Sequence, residues 1–239
     1  MSAAADTILT ADCIGKRFGE RKVLSAATVH ADRGVVTALI GRNGCGKSTL
    51  LRIMAGLMAP DHGTVRFRGA VYTRTRLHRL ARQGLFLLPA DRCTLTRTLT
   101  LRQHLDALQT RFGLPPGDTA LEALKITHLL DRAVGTYSGG EQRRAELALA
   151  IVRAPDCLLA DEPFLGITPV DTEVFIAAFR ALARRGTAVI VTGHEVPFIL
   201  SVADTVTWLH SGTTRPLGPP ETARHNWLFR REYLGVRAR

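Results

Sequence analysis

The sequence predicts an α/β fold organised around one strand, one glycine-rich loop and one helix. Residues 35–40 form a β-branched apolar run, which indicates a buried strand. Apolar side chains then recur at helical spacing, at Leu50, Ile53, Met54 and Leu57. Further apolar strands alternate with helical patterns along the chain, which is the order typical of α/β proteins.

The loop between that strand and helix has the spacing G-x-x-x-x-G-K-[ST], the pattern of a phosphate-binding loop. Its glycines let backbone N–H groups face one anion, and the helix adds the positive end of its dipole. Lys47 supplies a charge for β- and γ-phosphates, and Ser48 a hydroxyl for Mg²⁺. The alternative, a glycine-rich turn with an incidental lysine, is disfavoured by the flanking elements. The predicted nucleotide-binding residues here are Gly41, Arg42, Asn43, Gly44, Cys45, Gly46, Lys47, Ser48 and Thr49.

Composition indicates one core, with room for an embedded subdomain, in a chain of 239 residues that is 46% apolar. No apolar run approaches the ~18–20 residues that span a bilayer, and the first residues do not resemble a secretory signal. The four cysteines are scattered and fit no metal spacing, so we expect free thiols in a cytosolic protein. Cys45, inside the loop, is predicted to be alkylated and to be protected by nucleotide.

The formal net charge is +11. An anionic membrane surface, nucleic acid or an acidic partner would each account for it. The basic residues are spread along the chain and are not interleaved with aromatic ones, which argues against nucleic acid. We interpret the charge as an arginine-rich solvated surface.

Upstream of the loop, residues 8–13 and 22–29 read as strands on either side of residues 16–20. Phe18 lies in this connection, where an aromatic ring can stack on a purine base. A core or turn phenylalanine is the alternative. After the loop helix we expect a turn at 60–63, an antiparallel strand at 64–69, a solvated basic helix at 74–82 and a buried strand at 84–89.

Residues 90 to about 135 have a different sequence pattern from the strands around them and predict an inserted helical subdomain. Helical patterns cover 101–112 and 119–130, and residues 113–117 separate them. Ser138, Gly139 and Gly140 then open another helix and make a second candidate anion site. The buried face of this helix is predicted from Ala145, Ala148, Leu149 and Val152.

A second apolar strand, residues 157–160, ends in two carboxylates. Asp161 is placed to hold Mg²⁺ through water, and Glu162 to accept a proton from the attacking water or to orient it. An ordinary acidic turn is the alternative, but this is the clearest candidate for the acid that a phosphate-loop site requires.

The last third of the chain continues the alternation. Thr168 and Pro169 open a helix, as cap and first residue. Residues 188–192 form another buried strand, and His194 follows it, at the end of the sheet where α/β proteins bind ligands. A strand at 204–210, a turn at 211–212 and a closing helix from about Pro220 complete the chain. The predicted face of the helix after Thr168 is Val170, Val174, Ala177, Ala178 and Ala181.

The phosphate loop, Ser-Gly-Gly-Glu, Asp-Glu-Pro and the later histidine together resemble the ATP-binding cassette (ABC) ATPases over nearly the whole chain. Ser-Gly-Gly-Glu, the signature, is the specific part, since other phosphate-loop enzymes lack it. The resemblance implies a RecA-like α/β core with an antiparallel β-subdomain and an inserted α-helical subdomain. We expect residues 1–89 and 155–239 to form the first two and residues 90–154 the third.

The resemblance also implies roles. Phe18 is the adenine-stacking aromatic, Lys47 a catalytic lysine, Asp161 the magnesium-side aspartate, Glu162 the catalytic glutamate and His194 the switch histidine that contacts the γ-phosphate. ATP and Mg²⁺ are the implied ligands.

Two cassettes of this family close head to tail around two ATP molecules, and each site joins one chain's phosphate loop to the other's signature. The implied trans-acting residues are Ser138, Gly139, Gly140 and Glu141.

The chain's ending is similar to cassettes of branched-chain amino-acid importers and of lipopolysaccharide export. Residues 161–167 and the tail Tyr233-Leu234-Gly235 carry this similarity. Such cassettes are separate subunits that pair with membrane proteins, so we expect a cytoplasmic ATPase, peripheral on the inner face of the membrane through a permease.

Two residues depart from the family pattern. Ala90 stands where a glutamine usually touches Mg²⁺, and Thr168 where an aspartate usually links the two sites. These two replacements put the rate of ATP turnover and the coupling to a membrane partner in question, unless Asp91 or water takes the place of the glutamine.

Two alternative functions stay open at this point. A soluble ABC protein in assembly or regulation would co-purify with soluble partners. A small-molecule kinase with a phosphate loop would need an acceptor, and the Ser-Gly-Gly helix argues against it.

Overall fold

The computed structural model describes residues 6–72, 77–114 and 117–233. Its strands are β1 (Thr7–Phe18), β2 (Arg21–Asp32), β3 (Val36–Ile40), β4 (His62–Phe67), β5 (Ala70–Tyr72), β6 (Leu85–Leu88), β7 (Cys157–Ala160), β8 (Ala188–Gly193), β9 (Thr205–His210) and β10 (Thr213–Gly218). Its α-helices are α1 (Lys47–Met54), α2 (Leu77–Arg82), α3 (Leu101–Phe112), α4 (Asp118–Ala123), α5 (Gly139–Arg153), α6 (Pro169–Arg184), α7 (Val196–Val202), α8 (Pro220–His225) and α9 (Trp227–Glu232).

The strands form one sheet in the order β5-β4-β1-β2-β10-β9-β3-β8-β7-β6. From β9 to β6 all neighbours are parallel, and from β5 to β2 all are antiparallel. A single parallel pair, Thr213 with Ala26, joins the two parts. Every residue of β3 is buried. Because β3, β8 and β7 run parallel, their carboxyl ends lie at one edge of the sheet, where the loop, His194 and the two acids follow them.

The first hairpin is longer than expected. Residues 16–18 were predicted to connect two strands, but β1 runs through Phe18, which pairs with Arg21. The turn is Gly19-Glu20, and Gly19 adopts the left-handed conformation that a two-residue hairpin requires, with φ 57°.

In the helical region the prediction for 101–112 is confirmed, but the helix predicted at 119–130 is too long. The helix α4 ends at Ala123, and Lys125 has φ 55°. This irregular turn buries Leu124, Ile126 and Leu129 completely, which a continued helix would not do on one face. Of the predicted helix at 74–82, α2 covers the part from Leu77; Pro115 and Pro116 of the predicted break lie outside the described residues, as do residues 73–76. The predicted subdomain boundaries stay a prediction.

The predicted face of α6 is confirmed at Ala178, which is buried, but is wrong at Val174 and Ala177. Ala177 is exposed and Val174 is half-buried, whereas Phe175 and Phe179 are buried. The cause is an aromatic cluster, because Phe164 after β7 packs against both rings at centroid distances of 6.4 and 6.1 Å. The side chain of Val170 lies outside the described part. The helix expected from Pro220 is confirmed as two short helices, α8 and α9.

Candidate functional site

A pocket of about 330 Å³ opens between the β1–β2 hairpin and the start of α1. One side is the ring of Phe18, which is 47% exposed and therefore free to receive a flat ligand. The other side is the loop and the first residues of α1, and Glu162 closes the end. The lining residues are Phe18, Arg21, Val23, Gly44, Gly46, Lys47, Ser48, Thr49 and Glu162.

The loop presents uncapped N–H groups to this pocket. Gly46 is the N-cap of α1, with φ 111°, and no side chain accepts a hydrogen bond from the first turn. This conformation favours glycine, and a Cβ at Gly46 would stand 2.8 Å from Leu24 Cδ2, which would have to move. A helix start without a side-chain acceptor is suited to an anion.

Lys47 is held inside the loop although it carries a charge. Its side chain is 4% exposed, and Nζ donates to the carbonyl oxygens of Gly41 at 2.9 Å and Arg42 at 3.3 Å. Glu162 Oε1 lies 3.9 Å from Nζ. Of the other loop residues, Arg42 and Asn43 are exposed, and Cys45 is half-buried.

The two acids after β7 are fixed by a residue that sequence reasoning missed. The buried hydroxyl of Thr192, on β8, donates to Asp161 Oδ1 at 2.7 Å. The hydroxyl oxygen of Thr192 also accepts a hydrogen bond from the backbone N–H of Glu162 at 3.0 Å. Glu162 has φ 46°, an uncommon conformation for this residue type. A threonine in a buried strand gives no sequence signal of this role.

His194 joins the same cluster. Its Nδ1 lies 3.6 Å from Glu162 Oε2, and its side chain is 37% exposed. The structure therefore brings Lys47, Glu162 and His194 together, with the carboxylate between the two nitrogen-bearing groups. This arrangement can hold an anion at one end and a water molecule beside the carboxylate.

Two side-chain oxygens at this edge of the sheet, in Ser48 and Asp161, have the donor chemistry that suits Mg²⁺ when a bound phosphate supplies further ligands. In the part of the chain that the structure describes, no three His, Cys, Asp or Glu residues converge into a metal cluster. Mg²⁺ needs few protein ligands when phosphates supply others. Ser48 lines the pocket. The Thr192 hydroxyl donates to Oδ1 of Asp161, and no group of the described residues donates to Oδ2.

The signature residues lie outside the pocket. Ser138 caps α5, accepting from the N–H of Glu141 at 3.3 Å, while the carboxylate of Glu141 accepts the N–H of Ser138 at 2.7 Å. This backbone hydrogen bond lowers the pKa of Glu141. Ser138 and Gly139 are exposed, and Gly140 is half-buried. Their own chain thus leaves the serine and the first glycine open to a second molecule.

Ala90 and Thr168, the two residues that differ from the family pattern, both form hydrogen bonds with nearby groups. The guanidinium of Arg143, on α5, donates to the carbonyl oxygens of Pro89 and Ala90. Asp91 Oδ2 is bound by Arg52 Nη2 at 2.8 Å. The hydroxyl of Thr168 accepts from Asp171 N at 3.2 Å, which confirms the predicted cap of α6.

Glu232 and Tyr233, the last residues that the structure describes, also contact the loop, which sequence reasoning did not anticipate. The hydroxyl of Tyr233 donates to Gly41 O at 3.3 Å, and Arg42 Nη2 donates to Glu232 O at 2.7 Å. Burial raises the pKa of Tyr233, so its hydroxyl keeps its proton and remains a donor. The Leu234-Gly235 part of the predicted tail similarity lies outside the described residues.

Comparison with known proteins identifies the family. The model of the family described as "ABC transporter" matches residues 24–165, more than half of the chain. The chain belongs to the ABC transporter family. As a member of it, this ABC protein is an ATPase, the ATP-binding subunit of a transporter.

Relatives and solved structures agree with this assignment. A probable ABC transporter ATP-binding protein of Azorhizobium caulinodans is 34% identical over 98% of this chain and 85% of its own length. The lipopolysaccharide export system ATP-binding protein LptB of Haemophilus influenzae is 31% identical over 96% of this chain and 98% of its own. A crystal structure of the ADP conformation of an ABC transporter cassette has a TM-score of 0.80 and 25% identity, covering 96% of this chain and 97% of that one.

The same comparisons support the predicted fold, a mixed α/β ABC ATPase. Among the residues that the structure describes, no helix of this ABC ATPase is both long and apolar enough to cross a bilayer.

Proposed function

We propose that this chain binds ATP with Mg²⁺ in the pocket beside Phe18 and hydrolyses it to power a separate membrane permease. The observation that supports this best is the convergence of Lys47, Glu162 and His194 behind an uncapped helix start. A triphosphate bound there would have its terminal phosphate among these three side chains.

Each side chain then has a distinct task. Lys47, already desolvated, places its charge against the β- and γ-phosphates at little further cost. Ser48 and Asp161 hold Mg²⁺, which neutralises phosphate charge when it is bound. Glu162 orients the attacking water and accepts its proton, and His194 donates to the γ-phosphate. Phe18 stacks on the adenine ring.

The signature completes the site from a second copy of the chain. The exposed Ser138 and Gly139 at the start of α5 offer a hydroxyl and helix N–H groups to the γ-phosphate of the partner's ATP. ATP thereby closes a head-to-tail homodimer, and hydrolysis reopens it.

The opening and closing of this dimer drives a separate membrane permease. Relatives similar over nearly their full length are named as ATP-binding proteins of transporters and of lipopolysaccharide export. We therefore infer a peripheral position on the inner face of the membrane, held by the permease.

The experiment is sedimentation of the Glu162→Gln variant with and without ATP. The amide keeps the shape of the side chain but cannot accept the proton, so ATP should bind, persist and hold a dimer. Glu173→Gln, an exposed change on α6, is the matched control and should hydrolyse ATP like the parent chain. A Glu162→Gln chain that binds ATP and stays monomeric would contradict the proposal.

A further inference from the structure

Lys16, Arg17 and Arg21 lie near the turn of the β1–β2 hairpin, and they differ in whether an acidic residue pairs with them. Lys16 Nζ lies 2.7 Å from Asp61 Oδ1. Arg17 Nη2 lies 3.7 Å from Glu20 Oε2 and donates to the Glu20 carbonyl oxygen at 3.2 Å. The charges of Lys16 and Arg17 are therefore partly neutralised by the protein.

Arg21 is different because it lines the pocket. Its Nη2 donates to the carbonyl oxygen of Gly44, in the phosphate loop, at 3.3 Å. No carboxylate of the described residues lies within ion-pair distance of its guanidinium. At the other end of the pocket, Glu162 faces Lys47, so the unneutralised charge at the mouth belongs to Arg21.

The position of Arg21 selects a ligand chemistry. It lies between the ring of Phe18 and the loop, which are the proposed sites of the base and of the phosphates. A guanidinium has five N–H donors, and the Gly44 carbonyl uses one of them. The others are free for an oxyanion, which Arg binds in a planar, two-pronged geometry.

We propose that Arg21 is a further nucleotide-binding residue, which contacts the phosphate chain of the bound nucleotide. This inference rests on the proposed function and adds a contact supplied by β2. The phosphates would then be bound from two sides, by the loop with Lys47 on one side and by Arg21 of the hairpin on the other.

The competing explanation is mechanical: Arg21 braces the loop through Gly44 and never touches a ligand. The variant Arg21→Gln distinguishes the two, because glutamine keeps an N–H donor for the Gly44 carbonyl but carries no charge. Arg17→Gln is the matched control, since it removes an arginine from the same hairpin outside the pocket.

The measurement is the affinity of the full chain for adenosine, ADP and ATP with Mg²⁺, at several salt concentrations. Arg21→Gln should weaken ADP and ATP binding about tenfold, the effect of losing one charge-assisted contact. It should leave adenosine binding unchanged and make ADP binding less dependent on salt. Arg17→Gln should match the parent chain throughout.

Unchanged ADP affinity or salt dependence in Arg21→Gln would overturn the inference, as would an equal loss for adenosine. Failure of the proposed function looks different, because the parent chain itself would then not bind or hydrolyse ATP.

Discussion

At the scale of single residues, the hydroxyl of Thr192 has the widest influence on the site. It accepts the N–H of Glu162 and donates to Asp161, so one oxygen sets the positions of both acids. Because Thr192 is completely buried, water cannot replace that oxygen. The positions of both acids therefore depend on a residue of β8 as well as on their own segment.

Replacing Thr192 by valine keeps the shape of the side chain and removes the oxygen. We expect kcat to fall on the order of tenfold to a hundredfold with little change in KM, because Glu162 loses its alignment while the ATP pocket stays. Steady-state ATPase assays check this. Thr192→Ser, which restores the hydroxyl, should recover most of the rate, and a Thr192→Val enzyme with unchanged kcat would contradict this role.

Cys45 gives a chemical probe of the loop. Burial raises the pKa of the Cys45 thiol, and the charge of Lys47 opposes the rise in part. Since the thiolate is the reactive form, alkylation at neutral pH should be slow and should accelerate as the pH rises past the ordinary thiol pKa. Bound ATP should slow it further. Peptide mass spectrometry measures both effects, with the exposed Cys13 as the internal comparison; labelling of Cys45 that ATP leaves unchanged would contradict the prediction.

At the scale of elements, α5 is tied to the segment after β6 by a charged cluster. Glu146 is 2% exposed and accepts from the N–H and the hydroxyl of Thr94 at 2.6 and 2.7 Å. Arg143 Nη1 lies 3.4 Å from Glu146 Oε2 and also binds the carbonyl oxygens of Pro89 and Ala90. The helix that begins at the signature thus holds the backbone around Ala90, although alanine offers no side-chain contact.

Arg143→Ala should therefore destabilise the protein. It leaves Glu146 buried without its cation, at a cost of about 2–3 kcal/mol, below the range for a fully buried pair because Arg143 is partly exposed. Urea unfolding gives the value. Arg102→Ala removes an exposed pair with Asp131 and should cost clearly less, because solvent screens that pair. Equal stability losses in the two variants would contradict the importance of the cluster.

Helix starts that depend on local capping rules, and a strand marked by a continuous apolar run, were predicted correctly. The start of α5 could be predicted because Ser138 and Glu141 form a capping box, a contact between residues three apart. Thr168 with Pro169 gave the start of α6 for the same reason, and β3 was recognisable from its continuous apolar run.

Among predictions that depend on tertiary packing, the buried face of α5 is confirmed at Ala145, Ala148, Leu149 and Val152, whereas others were wrong or missing. The face of α6 is decided by Phe164, which comes from outside the helix. The strand β10 was missed because its Thr-Thr-Arg-Pro sequence is polar, and its place is set by pairing with β9. Arg21 and Tyr233 reach the loop, and Thr192 reaches the two acids, from other elements, so no spacing in the sequence reveals them.

At the scale of the whole molecule, the proposed site is divided between two chains. The pocket lies at the edge of the sheet where β3 and β7 end, and none of the described residues 138–141 line it. In the head-to-tail dimer that we propose, each loop would pair with the partner's α5, so each copy would complete the other.

Mixing two inactive variants tests this division. Lys47→Ala damages the loop and Ser138→Arg the signature, so each homodimer should be inactive. In the mixed dimer one site carries both changes and the other carries neither. Equal amounts should therefore recover up to about a quarter of the parent ATPase rate if subunits exchange freely and the sites act independently. No recovery in a mixture shown to form mixed dimers would contradict the shared site.

The contact between Tyr233 and Gly41 has a practical consequence for handling the protein. Tyr233 is hydrogen-bonded to the phosphate loop, so a fluorophore attached at residue 233 would lie next to the proposed nucleotide pocket. The start of β1 is safer, because a strand of that length carries Thr7 roughly 35 Å from Phe18. Labels for binding studies belong at the amino end.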